Sequence, residues 1–304
     1  MSRIPPDLIK ELRRRTGASV VECRRALEAS GGDLHKAASL LKLQALTTAA
    51  RQPRIAGSNG VVAVHALEDG SAGGLVELCF ETRRAVRGER FRQFVLALAR
   101  QVARSPVNSL EELLEAPLPE RGPRVLDALG DLILRSGEAF GIRRFLRMEA
   151  RVPGVVAAYS HGPGAVGRLG TLVEVSGSQA PAARRLAREL TLQVSFHRPP
   201  YLYRQDVPGP RLAFEREAIL RRFEREAGRG SSPDALADEI MRNSFFRAAV
   251  LLDQPWVREA SRTVADLVEE CSAEAGVPLR VRRYVLFEVG APLEEVVAPD
   301  HEPG

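Results

Sequence analysis

The sequence predicts an α+β fold in three parts: a three-helix module at the N-terminus, two related α+β units after it, and an antiparallel helical hairpin inserted in the second unit. Three observations carry this. Residues 12–27 join two short helical stretches through a glycine. A pair of β-branched runs around a Gly-rich turn occurs from Gly60 and again from Gly154. Those opening glycines are 94 residues apart, whereas matching arginines of the closing strands, Arg143 and Arg282, are 139 apart, so the second copy holds an insertion.

The helices come first in the chain. Asp7 follows two prolines and is placed to cap a helix whose apolar face is Leu8, Ile9 and Leu12, and Gly17 supplies the left-handed residue that ends it. Ser19 with Glu22 three residues on makes a capping box; Val20, Val21, Cys23, Ala26 and Leu27 are expected on the buried side of that second helix. Gly31 and Gly32 stop it, and Asp33 caps a third helix carrying Leu34, Ala37, Ala38, Leu40 and Leu41. The module takes residues 1–50 and a polar linker residues 51–59.

Each unit, 60–150 and 151–290, opens with a β-hairpin pattern. A helix follows, its apolar stripe marked by Phe91, Phe94, Val95, Leu98 and Val102 in the first copy and by Leu186, Leu190 and Val194 in the second. Closing strands read at 142–149 and 281–289. Within the second unit, 211–227 and 233–247 are charged amphipathic helices around a Gly/Ser-rich break, a hairpin within about 211–247 that projects from the core and offers a surface for a homodimer. From Ala291 onward, 291–304, the proline-rich and acidic tail is expected to be disordered.

Composition excludes several classes. With 304 residues and 44% apolar side chains the chain has enough material for two or three cores. No secretory h-region and no apolar run of membrane-span length is visible, which points to a cytoplasmic protein without a membrane partner. Cys23, Cys79 and Cys271 are too far apart for zinc spacing and odd in number, so they read as core thiols. The net charge of +5 is almost all Arg, with Lys only at Lys10, Lys36 and Lys42, and acidic residues are interspersed; a solvated mixed surface fits better than a nucleic-acid footprint.

No enzyme constellation appears, and neither a cofactor nor a metal is expected. Gly162–Gly167 spells a G-x-G-x-x-G pattern, but a strand rather than a helix follows it and Pro163 removes a donor, so it reads as a hairpin turn. His161 precedes that turn as an exposed loop residue, and Trp256 is expected as an anchor of the core.

Residues 16–27 run Thr16, Gly17, Ala18, Ser19, Val20, Val21, Glu22, Cys23, Arg24, Arg25, Ala26, Leu27. They resemble the Thr-Gly-Ala-Gly-Met-Met-Asp-Cys-Lys-Lys-Ala-Leu of the ubiquitin-associated-like module of elongation factor Ts, the nucleotide exchange factor of elongation factor Tu. Leu251–Glu270 is similar to the family's Leu-Leu-Glu-Gln-Pro-Phe-Val-Lys segment and the Thr-Val-x-Asp-Leu behind it, and the resemblance covers about residues 5–290. It implies a non-catalytic translation factor that binds factor Tu, both GDP-bound and nucleotide-free, and promotes GDP release. Partner contacts are implied at Val20 and Val21, where the family has a Met pair, and at His161 with Gly162.

The family's exchange element, Glu-Thr-Asp-Phe-Val-Ala, reads here Glu81, Thr82, Arg83, Arg84, Ala85, Val86. An acidic and an apolar wedge have both become cations. One reading is retained exchange, either because the departure is a neutral change of an exposed loop in a factor that works through its other contacts, or with an Arg taking over as wedge by competing with magnesium for carboxylates and phosphates. The alternative is a divergent paralogue with weak or no exchange that binds factor Tu or another partner. An RNA- or ribosome-binding role through Arg83, Arg84, Arg87, Arg90 and Arg92 is disfavoured, because Phe91 and Phe94 fall on the apolar stripe and leave only Phe80 for base stacking.

Overall fold

A computed structural model describes residues 4–51, 59–82, 88–226, 233–292 and 296–297. The N-terminal helices are α1 (Pro6–Thr16), α2 (Val20–Ala29) and α3 (Leu34–Arg51). Gly17 ends α1 at φ +77°, the Ser19 and Glu22 side chains close the capping box at 3.2 and 2.9 Å, and the Asp33 carboxylate accepts from the amides of His35 and Lys36. Asp7 caps nothing: Pro5 holds the cap position and Asp7 pairs with Lys10 inside the first turn. Val20 and Val21 also depart from expectation, being 45% and 58% exposed. At 100° per residue Val21 points away from Cys23 and Ala26, and those two with Leu27 complete the buried side of α2.

The first unit comprises β1 (Gly60–Ala66), β2 (Ala72–Phe80), α4 (Glu89–Arg104), α5 (Leu110–Glu115), α6 (Val125–Ser136) and β3 (Phe140–Glu149). The second opens with β4 (Gly154–Ser160), the short β5 (Val166–Gly167), β6 (Leu169–Ser176) and α7 (Pro181–His197). Its insertion contains α8 (Gly209–Glu226), α9 (Pro233–Ile240), a π turn at Met241–Phe246 and α10 (Arg247–Ala249). Arg216 on α8 meets Asp238 on α9 at 3.2 Å. A ribbon, β7 (Pro255–Trp256) and β8 (Glu259–Thr263), then leads to α11 (Val264–Ala275), β9 (Arg280–Glu288) and β10 (Val296–Val297).

Two antiparallel sheets result, ordered β3-β2-β1-β5 and β10-β9-β6-β4. Their inner faces meet through Val62, Val64, Leu75, Val156, Leu172, Val285 and Phe287. The outer face of the first sheet packs on α4 through Ala63, Val76 and Leu78, and that of the second on α7 and α11 through Val173 and Val175. Approach is close: a Cβ on Gly74 would stand 2.6 Å from the backbone nitrogen of Ala103 in α4.

The module is not separated from the first unit by a polar seam. One apolar cluster runs from Ile9, Leu12 and Leu27 through Ala45 and Ala49 to Leu129, Ile133 and Phe91. Gly130 makes room for it, since a Cβ there would stand 2.9 Å from Leu46 Cδ2. Of the tail, Ala291, Pro292 and Val296–Val297 are described, and these are held on the sheet. Arg143 donates to the Ala291 carbonyl at 2.6 Å, Arg144 reaches that of Pro292 at 3.3 Å, and β10 pairs with Leu286 and Val285. Backbone acceptors draw this stretch onto the sheet despite its composition; residues 293–295 and 298–304 fall outside the described residues.

The two units carry the same buried carboxylate. Glu77 on β2 and Glu174 on β6 are 1% and 0% exposed, each at an irregularity of its strand pair. Arg144 donates to Glu77 at 2.7 Å and to the Glu288 carbonyl at 3.1 Å. Reciprocally, Arg283 donates to Glu174 at 2.7 Å and to the Glu149 carbonyl at 3.0 Å. A backbone amide completes each carboxylate, Gly290 for Glu77 and Arg151 for Glu174. Among the described residues Glu77 alone of the two has a second arginine, Arg143, at 2.9 Å.

Candidate partner-binding site

Local structure brings the start of α2 and the end of β2 together across α6. Phe80 closes β2 and Phe91 opens the buried stripe of α4; their rings meet edge-on at 5.9 Å, and Phe91 packs on Phe140 at 5.5 Å. Both ends of the excursion between β2 and α4 are thus fixed by fully buried aromatics. Glu81 and Thr82 emerge from this anchor exposed, with the Glu81 carbonyl accepting from Asn59 at 3.1 Å and the Thr82 hydroxyl donating to Glu138. Arg83, Arg84, Ala85 and Val86 fall outside the described residues.

The Glu138 contact points toward the module. Gly137, which ends α6 at φ +69°, has Glu22 of the α2 capping box 3.9 Å from where its Cβ would be, and Gly17 has Arg135 Cγ 2.8 Å from its own Cβ position. The exposed pair Val20 and Val21 at the start of α2 therefore adjoins, through Glu22, Gly137 and Glu138, the Thr82 end of β2. Beneath the pair, burial pushes the Cys23 thiol up, as fits a core thiol; Cys79 and Cys271 are buried too.

His161 and Gly162 are exposed at the tip of the second hairpin. The turn Pro163–Ala165 follows, and β5 then pairs with β1 of the first sheet, Val62 opposite Gly167 and Ala63 opposite Val166. The hairpin tip of the second unit is stitched onto the first. The Tyr159 hydroxyl stands 3.2 Å from His161 Nδ1, and both residues border a groove of about 760 Å³ with Leu192, Phe196 and Val257. Phe196 is 73% exposed. Arginines at the rim are paired, Arg198 with Glu288 at 3.0 Å and Arg258 with Glu189 at 2.6 Å.

A buried amide network sets the far wall of this groove. Gln193 donates to Gln254 and to the Pro255 carbonyl, both at 3.1 Å, and accepts from the Val257 amide at 2.8 Å. Trp256 beside it is half-buried against the second core, with Arg262 5.7 Å from its ring. Among the described residues no three His, Cys, Asp or Glu side chains gather as a metal site, and no helix is long and apolar enough to cross a membrane.

Sequence reasoning missed Glu138, the Gln193 network and the exposed groove. One signal was available for the buried carboxylates: Leu75–Leu78 and Leu172–Val175 both read apolar, Val, Glu, apolar, a charge in the same slot of two core strands. Nothing in residue spacing announces Glu138 or Gln193, whose partners are 56 or more residues away.

The family model of elongation factor Ts matches residues 81–291. The chain belongs to the elongation factor Ts family. An elongation factor Ts from Clostridium perfringens is 32% identical over 296 residues, covering 96% of this chain and 95% of the relative. One from Symbiobacterium thermophilum is 34% identical over 302 residues, covering 97% and 95%, and one from Clostridium botulinum is 32% identical over 292 residues, covering 95% and 93%. Membership makes the protein a translation elongation factor.

Proposed function

We propose that this protein is a cytoplasmic guanine nucleotide exchange factor that binds elongation factor Tu and promotes GDP release without covalent chemistry. What supports the reading is that Val20, Val21, Glu81, Thr82, His161 and Gly162, which the resemblance assigns to the partner from three distant stretches, are all exposed, and that the first two pairs adjoin through Glu22, Gly137 and Glu138. Valines 45% and 58% exposed fit an apolar contact that a second protein covers. By linkage, a factor that stabilises nucleotide-free Tu weakens GDP binding as much as GDP weakens its own. The helical hairpin carries no role in this reading; pairing of two copies through it has only the exposed Phe214 of α8 in its favour.

The test is release of fluorescent GDP from the cognate factor Tu, using the parent and two double variants. If the arginines have weakened an inherited wedge, Arg83→Asp with Arg84→Phe accelerates release by about tenfold or more, since each decade needs only about 1.4 kcal/mol. If the arginines have become the wedge, Arg83→Ala with Arg84→Ala abolishes release. A parent that binds factor Tu but does not speed release identifies a divergent paralogue, and one that neither binds nor exchanges overturns the reading.

A further inference from the structure

Arg92 is one turn into α4, and its guanidinium has an unusual setting. It is partly buried, yet it forms no ion pair and no side-chain hydrogen bond among the described residues. Glu89, three residues earlier and within reach on a helix, accepts from Gln93 at 3.3 Å instead. The head group crosses to the second unit and occupies the space over Gly164, with Cζ 3.1 Å and Nε 3.7 Å from where a Cβ would be. Gly164 is held at φ +62° and Ala165 at φ +64°, so the turn after His161 takes two left-handed residues in succession around this guanidinium. β5 fixes the other side of the same turn to β1.

An arginine left unpaired at the surface ordinarily waves in solvent, because ordering its side chain costs about 2 kcal/mol with no bond in return. Here packing has already ordered it. Its donors lie over Gly164, two residues beyond Gly162, where the turn after His161 meets α4. The guanidinium fork matches a carboxylate, and preorganisation removes most of the entropy cost of pairing. A nucleotide phosphate is the poorer match, because a cation bound to GDP would hold the nucleotide in the complex and oppose its release.

We infer that Arg92 is a specificity-determining residue that pairs with a carboxylate side chain on the partner. The inference rests on factor Tu being that partner. Pairing in a partly desolvated junction acts on the lifetime of the complex more than on encounter.

Stopped-flow binding to GDP-loaded factor Tu tests it with the parent, Arg92→Met and Gly164→Ala. Methionine keeps the packed stem and removes the donors, while Ala at 164 takes the space of the guanidinium and displaces it. Both variants are expected to dissociate about tenfold faster or more, with association within about twofold of the parent. The double variant is no worse than either single one, because both remove the same contact. The parent's dissociation rate rises with ionic strength and that of Arg92→Met does not, a readout that loss of packing alone does not produce. A parent that binds and an Arg92→Met that dissociates no faster overturn the assignment while leaving the partner intact. A parent that does not bind at all overturns the partner, and the assignment with it.

Discussion

The two α+β units share a hairpin, a covering helix, a closing strand and a buried Glu–Arg clamp, yet they differ in everything attached outside that frame. The first accepts the N-terminal module on α6 and ends β2 in the exposed Glu81 and Thr82. The second extends a helical hairpin, a ribbon and an open groove. Symmetry is kept in the hairpin, helix and closing strand and lost in what is attached to them. Each clamp also reaches the other unit, Arg144 to the Glu288 carbonyl and Arg283 to that of Glu149, so the frame is a mutual lock that holds the asymmetric appendages in fixed relation.

The clamp gives the largest effect by which the comparison can be broken. Glu77→Ala strands Arg143 and Arg144, whereas Glu174→Ala strands Arg283. Losing one partner of a buried pair costs about 3–5 kcal/mol, and Glu77→Ala is expected to be the worse of the two. Urea unfolding of both variants reads the difference. Equal losses would mean that the second arginine at Glu77 adds nothing.

A smaller effect sharpens the contrast at the module. Gly130→Val forces Leu46 away from α6, an overpacking of about 1–3 kcal/mol that falls on the first unit alone. Limited proteolysis between α3 and β1 should quicken while the second unit keeps its protection. For the same reason, deleting the module exposes the apolar face of α6, and the remainder is expected to be less soluble than a chain with a polar boundary there would be.

The smallest effect is a difference in acid response. His65 on β1 has its pKa lowered, first by burial and then by Arg100 and Arg104, while the corresponding position of the second hairpin is Tyr159. A lowered histidine contributes stability that is fully present above its ordinary value of about 6.5 and is lost as pH falls through the folded value. His65→Gln should therefore flatten the decline in thermal midpoint from about pH 7 to about pH 5.5. A decline as steep as the parent's would place acid sensitivity elsewhere.

Much of the frame was legible because its signals are local. The capping box of Ser19 and Glu22, the left-handed Gly17, the stripes of α4 and α7, and the repeated hairpins are written in residues a few positions apart, where backbone geometry fixes the outcome. The unequal spacing of the repeats was enough to reveal the insertion. Errors arose where a side chain had a choice of environment. Val20 and Val21 are apolar and helical, and sequence alone placed them inside; the closed packing of α1, α2 and α3 leaves them out.

By itself, then, the sequence determined the elements, their order and the family, because periodicity, caps and turn residues act over a few bonds. Only the tertiary structure decided that Thr82 reaches Glu138, that the hairpin tip after His161 joins the first sheet, that Ala291 and Pro292 are drawn onto Arg143 and Arg144, and that Arg92 lies over Gly164 without an ion pair among the described residues. Each of these joins residues far apart in the chain, and their meeting depends on how two sheets stack rather than on any spacing that the chain displays.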